Sequence, residues 1–140
     1  EEPTIPDDLQ GYCRIEKEGS IPVAAGENLH TIYEFKNLIS EGGVTFPEPD
    51  VSNCGGITVW MKIAKIAESY NLNVTSHGVH DLHVHLLAAI PNRSLLEIHG
   101  FGLDEYIKHP LSIKDGFVEA PNIPGHGVEF DWNTLNSLKN

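Results

Sequence analysis

The chain is poor in positive charge. Nine lysines and arginines face 20 aspartates and glutamates, giving a formal net charge of −11. So acidic a surface repels phosphate backbones and anionic headgroups, which argues against nucleic acid and membranes as partners. Long apolar runs are lacking too: none approaches the roughly 18 residues of a membrane span. Cysteine is scarce. Cys13 and Cys54 have no metal-binding spacing and are too few for a disulfide framework, so a reducing, cytoplasmic setting is expected. No glycine-rich phosphate loop and no low-complexity segment is present. No signal peptide is evident, and the opening Glu1-Glu2-Pro3, without an initiator methionine, reads as the interior of a longer protein. The 140 residues, 40% apolar and 21% charged, are those of one globular domain. The sequons at Asn73 and Asn92 read as chance matches, the first in an expected buried strand.

Apolar strand-like and helix-like segments alternate along most of the chain. Ile21 to Ala25 reads as a short strand. Thr31 and Glu34 form a capping box ahead of a helix whose apolar face is Ile32, Phe35, Leu38 and Ile39, stopped by Gly42-Gly43. Val44 to Phe46 is the next strand, leading to Glu48 and Asp50, each beside a proline. After Gly55-Gly56 a helix carries Ile57, Trp60, Met61, Ala64 and Ala67 on one face. Val74 to Ser76 is a strand ending at His77. A helix over about Asp81 to Ile90 with Leu82, Leu86 and Ala89 stops before Pro91, and Leu95 to Ile98 is a strand bearing Glu97. Short links between strand and helix point to parallel β/α architecture. Beyond Pro110, Asp115-Gly116 signals a hairpin and the proline- and glycine-containing remainder reads as an irregular tail. The expected division is therefore 1–109 for the β/α portion and 110–140 for hairpin and tail.

One pattern recurs. Glu27, Asp50, His77 and Glu97 each fall at or just past the carboxyl end of an expected strand, and Glu1 fits as a fifth if another strand precedes it. Strand carboxyl ends of parallel β/α folds face one common mouth, where chemistry takes place. Any one of these residues is read as easily as an ordinary loop residue. Four on the same side of successive strands converge, and a carboxylate-rich set of this kind suits a hard divalent cation.

The motifs EEP, GEN, PD followed by GGIT, SH and LE, in this order and spacing, with the tail PGHGVEFD, resemble the enolase superfamily in its mandelate racemase subgroup. The resemblance implies a modified TIM barrel, (β/α)7β, of which this chain is the C-terminal part, from the end of the fourth strand onward. It implies that Glu1 and Glu27 are two of three Mg²⁺ ligands. Asp50 and His77 are implied as a dyad in which the histidine is the base, and Glu97 as the group that hydrogen-bonds the substrate's carboxylate or enolate oxygen. The implied activity is abstraction of the proton α to a carboxylate through an enediolate. PDVSNCGGIT followed by SHG is more similar to dehydratases that turn acid sugars into 2-keto-3-deoxy acids than to 2-hydroxy-acid racemases or epimerases. The family also needs a lysine pair, a third carboxylate ligand and a capping domain, none of which falls in this stretch. The chain alone is therefore expected to be inactive. The alternative is a non-catalytic fragment serving association, by pairing with the missing barrel half or with another copy. Without a partner, an open parallel sheet is expected.

His77, His80, His83 and His85 make a tempting zinc motif. On a helix, however, His83 and His85 point in different directions, and only His80 and His83 share a face. Solvated or hydrogen-bonded histidines are the expectation.

Overall fold

Helices and strands alternate through the computed structural model, which describes residues 1–100 and 103–138. Helix α1 (Leu9–Glu18) is followed by β1 (Ala24–Ala25), α2 (Ile32–Ser40), β2 (Phe46–Pro47) and α3 (Ile57–Ser69). Next come β3 (Val74–Ser76), α4 (His80–Ala88) and β4 (Arg93–Leu96). Strand β1 pairs with β2 in parallel through Ala24 opposite Phe46 and Ala25 opposite Pro47. Strand β3 pairs with β4 in parallel through Val74 opposite Arg93 and Ser76 opposite Leu96, with a register shift between.

The expected single open sheet is instead two parallel pairs among the described residues, with β2 beside β3 but no ladder joining them. Proline accounts for the seam. Pro47 and Pro49 have no N–H to donate, so the β2 segment cannot complete a ladder on both edges. Side chains of Asp50 and His77 cross the seam instead. Strands β1 and β2 are shorter than the sequence suggests, β3 has the expected bounds, and β4 keeps the expected length but lies two residues earlier. The last one, β4, ends at Leu96, so Glu97 lies just beyond it rather than within it.

Local chemistry sets the helix boundaries. Thr31 and Glu34 form the expected capping box on α2. That helix closes through Gly42 N–H to the Ile39 carbonyl and Gly43 N–H to the Leu38 carbonyl, with Gly42 at φ 74°. This is the Schellman arrangement, which needs the left-handed conformation glycine adopts without strain. Helix α3 ends the same way with Asn71 at φ 57°, its N–H bonded to the Glu68 carbonyl and that of Leu72 to the Ala67 carbonyl.

The core lies between helices and strands, with Trp60, Phe35, Ile63 and Val74 fully buried. Ile63, rather than Ile57, completes the buried face of α3, and Ile57 is exposed. Helix α4 starts at His80 and buries His80, Asp81, His83, Val84, Leu86 and Leu87 rather than the expected Leu82, Leu86 and Ala89 face. Val74 and Thr75 are buried, as expected for the first sequon, and the second has its Asn92 amide committed to the carbonyls of Ala64 and Leu72.

Two helices escape the sequence reading. Helix α1 has Gly11 in its first turn and buries only Tyr12, so its apolar signal is faint. Helix α5 (Trp132–Ser137), capped by Asp131, lies within the tail expected to be irregular. The hairpin at Asp115-Gly116 is present: both residues have positive φ, and Lys114 and Phe117 exchange both backbone hydrogen bonds. These are the features of the type I′ turn. A bridge between Ile107 and Phe130 ties the tail to the chain just after the 3-10 turn Leu103–Tyr106.

Candidate active site

The strand ends bring four of the five candidate residues into a connected group. His77, after β3, has Nδ1 3.1 Å from Asp50 Oδ2 and Nε2 3.0 Å from Glu27 Oε2. Asp50 follows β2 and Glu27 follows β1, so one imidazole joins three successive strand ends. Glu97, after β4, accepts a hydrogen bond from Gly78 N–H at 2.8 Å. His99 joins Glu97 to His77, its Nε2 lying 3.3 Å from Glu97 Oε2 and 3.2 Å from His77 Nε2.

The fifth candidate, Glu1, is exposed and its neighbour Glu2 is not equivalent to it. Glu2 Oε1 accepts from Gly26 N–H at 2.7 Å, and Oε2 accepts from the Tyr12 hydroxyl at 2.7 Å. Both oxygens of Glu2 are thus engaged in holding the chain start against β1 and α1. That leaves Glu1 as the carboxylate available to a ligand.

Asp50 is built to remain charged and oriented. Burial works against its charge, but the Ser52 hydroxyl and backbone N–H, both donating to Oδ1, and the His77 ring outweigh this and hold its carboxyl below the usual range. An ionised Asp50 can accept a hydrogen bond from His77 Nδ1, a contact that orients the ring with Nε2 towards Glu27 and His99.

His83 gives the histidine run a different meaning. It is fully buried, its Nε2 accepts from Val51 N–H at 3.0 Å, and its Nδ1 donates to the Gly78 carbonyl at 3.0 Å. Burial depresses its pKa, as suits a neutral ring with one donor and one acceptor. His83 therefore clips the loop carrying Asp50 to the loop carrying His77. His85 is occupied elsewhere, against the His126 carbonyl. The run does not gather into one metal site: among the described residues the groupings close enough for an ion are His77 with Glu97 and His99, and His80 with Asp81 and Asp104. Replacing His83 with Leu strands one buried N–H and one buried carbonyl, and is expected to cost roughly 1–3 kcal/mol. Chemical denaturation of the two proteins checks this, and an unchanged midpoint would show that the clip contributes nothing.

Glu48 and His99 were not among the sequence candidates. Glu48 is 4% exposed, and its Oε2 has no hydrogen-bond partner among the described residues. Burial first, then the charges of Glu1, Glu97, Glu27 and Glu2, push its carboxyl up to about 8. The sequence signal for it is a carboxylate set between two prolines in a buried strand. His99 carries no such signal, being a lone histidine beyond an ill-defined strand end.

The sequence profile of the enolase C-terminal domain-like family matches residues 1–134. The chain belongs to that family. Within it, the chain is 54% identical over 138 residues to a 3,6-anhydro-alpha-L-galactonate cycloisomerase of Streptomyces coelicolor, covering 99% of this chain and 38% of that one. It is 36% identical over 149 residues to a D-galactonate dehydratase of Xanthomonas oryzae, covering 96% and 39%. The crystal structure of a racemase from Streptomyces coelicolor with bound magnesium superposes with a TM-score of 0.91 at 52% identity, covering 98% of this chain and 38% of that one. The enolase-type fold is thus shown, and the chain spans well under half the length of the relatives it matches.

Proposed function

We propose that the complete protein removes the proton α to the carboxylate of an acid sugar and expels the β-oxygen, giving a 2-keto-3-deoxy acid. The observation that carries this reading is His77 held between Asp50 and Glu27 at the ends of three successive strands. His77 Nε2 takes the α-proton while Asp50 stabilises the imidazolium through Nδ1. For Nε2 to do so, the Glu27 carboxylate must turn away from it. The electron pair of the broken C–H bond enters the enediolate and then expels the β-oxygen. The imidazolium of His77 returns its proton to that leaving oxygen, and the enol so formed tautomerises to the ketone. Glu97 is the group that hydrogen-bonds the substrate's carboxylate or enolate oxygen.

The donor set fits Mg²⁺. Glu1 and Glu27 offer only oxygen, and the carboxylates crowded around Glu48 have no lysine or arginine among the described residues to neutralise them. Glu1 and Glu27 would hold the ion, which when bound neutralises charge developing on the substrate's carboxylate. The similarity to proteins named cycloisomerase and dehydratase supports β-elimination, and the similarity to a structure named as a racemase keeps racemisation as the second reading. The higher identity to the cycloisomerase favours a leaving oxygen that belongs to an anhydro ring, because such an oxygen stays in the product and the reaction becomes an isomerisation. Exposed Leu95 on β4 and Ile21 before β1 are apolar surface suited to contact with the remainder of a barrel.

The test incubates the complete protein with Mg²⁺ and a panel of sugar acids and their anhydro forms in deuterated water, read by NMR and mass. Deuterium at C3 of a 2-keto-3-deoxy product is expected, formed with loss of one water or, from an anhydro acid, by isomerisation; deuterium only at the α-carbon of an otherwise unchanged acid, or no exchange with any of these acids, would overturn the reading. Asp50→Asn is expected to slow the same exchange roughly 10- to 100-fold, as when a partner that orients a functional histidine is lost. An Asp50→Asn enzyme with ordinary kinetics would remove the dyad from the mechanism.

A further inference from the structure

Glu48 is difficult to explain as a structural residue. A buried polar oxygen left without a partner costs more than the hydrogen bond it would make, so folded proteins rarely keep one without a use for it. The backbone N–H of Glu48 donates to the Ala25 carbonyl, which seats the residue beside the end of β1. The residue is only 4% exposed, its Oε2 is unpartnered among the described residues, and Pro47 and Pro49 stiffen the chain on both sides of it. Two residues later the same segment supplies Asp50 to His77. The neighbouring charges it senses are Glu1, Glu27, Glu97 and Glu2, all at the carboxyl ends of strands or at the chain start beside them. The unpartnered oxygen therefore belongs to the mouth of the fold and not to its core.

We infer that Glu48 is a specificity-determining residue whose Oε2 hydrogen-bonds a hydroxyl of the substrate beyond the α-carbon. This deepens the proposed function and rests on it for the class of ligand. A hydroxyl is the group that suits the position. It donates to a carboxylate and accepts from a carboxylic acid, so the contact survives in either protonation state of Glu48. A second carboxylate would add charge to an already crowded acidic cluster. A purely apolar group would leave Oε2 unpaired in the complex as well. The competing occupant is a basic side chain from sequence outside this chain, which would make Glu48 part of the scaffold.

The two are separated without reference to activity. If Oε2 awaits a ligand, Glu48→Met in the complete protein without substrate raises the melting temperature, because it replaces an uncompensated buried carboxyl with an apolar chain of similar length. If Oε2 already has a protein partner, Glu48→Met lowers it, and the inference is overturned. The catalytic arm compares sugar acids lacking one hydroxyl at a time. Glu48→Met is expected to lower kcat/KM about 10- to 100-fold for the fully hydroxylated acid, the loss of one hydrogen bond in a buried site. It is expected to have no effect on the single deoxy acid that lacks the contacted hydroxyl, with Glu48→Gln restoring part of the loss. An equal loss on every deoxy acid would mean a general structural role and would also overturn it. If wild type exchanges no α-proton of any acid tried, the proposed reaction fails on its own. The melting comparison then still decides whether Oε2 is reserved for a ligand.

Discussion

His77→Asn in the complete protein is expected to lower the rate of α-proton exchange on an acid sugar by about 10²- to 10⁴-fold, the range a positioned general base contributes. Asparagine keeps a polar group of similar reach towards Asp50, so the loop after β3 has no reason to collapse, and the loss should be one of chemistry alone. Nothing else in the cluster can take the role. The nearest other imidazole, His99, lies edge-on to His77 with ring centroids 4.9 Å apart and faces Glu97 rather than Asp50. Of these two imidazoles, His77 is the one with an ionised aspartate at its far nitrogen. Exchange followed by NMR together with a melting curve is the measurement. Exchange at the wild-type rate in a folded His77→Asn protein would take His77 out of the mechanism, and loss of fold would show that it holds the loops together.

Trp60→Ala is expected to cost about 3–5 kcal/mol of stability, the range for emptying a large aromatic from a packed core. Trp60 is fully buried on α3, and its indole N–H donates to the Pro49 carbonyl at 2.9 Å. The substitution thus opens a cavity and releases a carbonyl one residue from Asp50. Denaturant titration reads the first effect. The second separates packing from positioning: Trp60→Phe retains most of the volume and loses the hydrogen bond, so any fall in its activity beyond its small loss in stability reports the displacement of Asp50. A Trp60→Ala protein as stable as wild type would contradict the packing described.

The candidate residues at the strand ends were more legible in the sequence than those that hold them. Glu27, Asp50, His77 and Glu97 stand out because strand ends in a parallel fold fall at regular intervals, and a polar residue at each is visible in one dimension. His83 does not stand out. Its importance arises from Val51 and Gly78, 32 and 5 residues away in sequence, and its nearest visible context is a histidine run that suggests a metal. Glu48 hides for a related reason: what marks it is the absence of a partner, and an absence has no spelling. The shape of the fold was legible from helix periodicity, whereas the break between β2 and β3 depends on which edge of the strand two prolines face. Helix α5 was obscured by the glycines and prolines before it, although Asp131 caps it through Asn133 and Thr134 in an ordinary way.

The two ends of the strands are closed by different means. At the end away from the site, the turns after α2 and α3 satisfy themselves with bonds between residues five or fewer positions apart. At the site, closure runs through side chains drawn from distant loops and from α4: Asp50 to His77, Val51 to His83, Gly78 to Glu97. The quiet end therefore closes by local bonds that do not depend on what the other end contains, while the rim is held by side chains far apart in sequence. A lineage built this way can change its substrate without relearning how to fold.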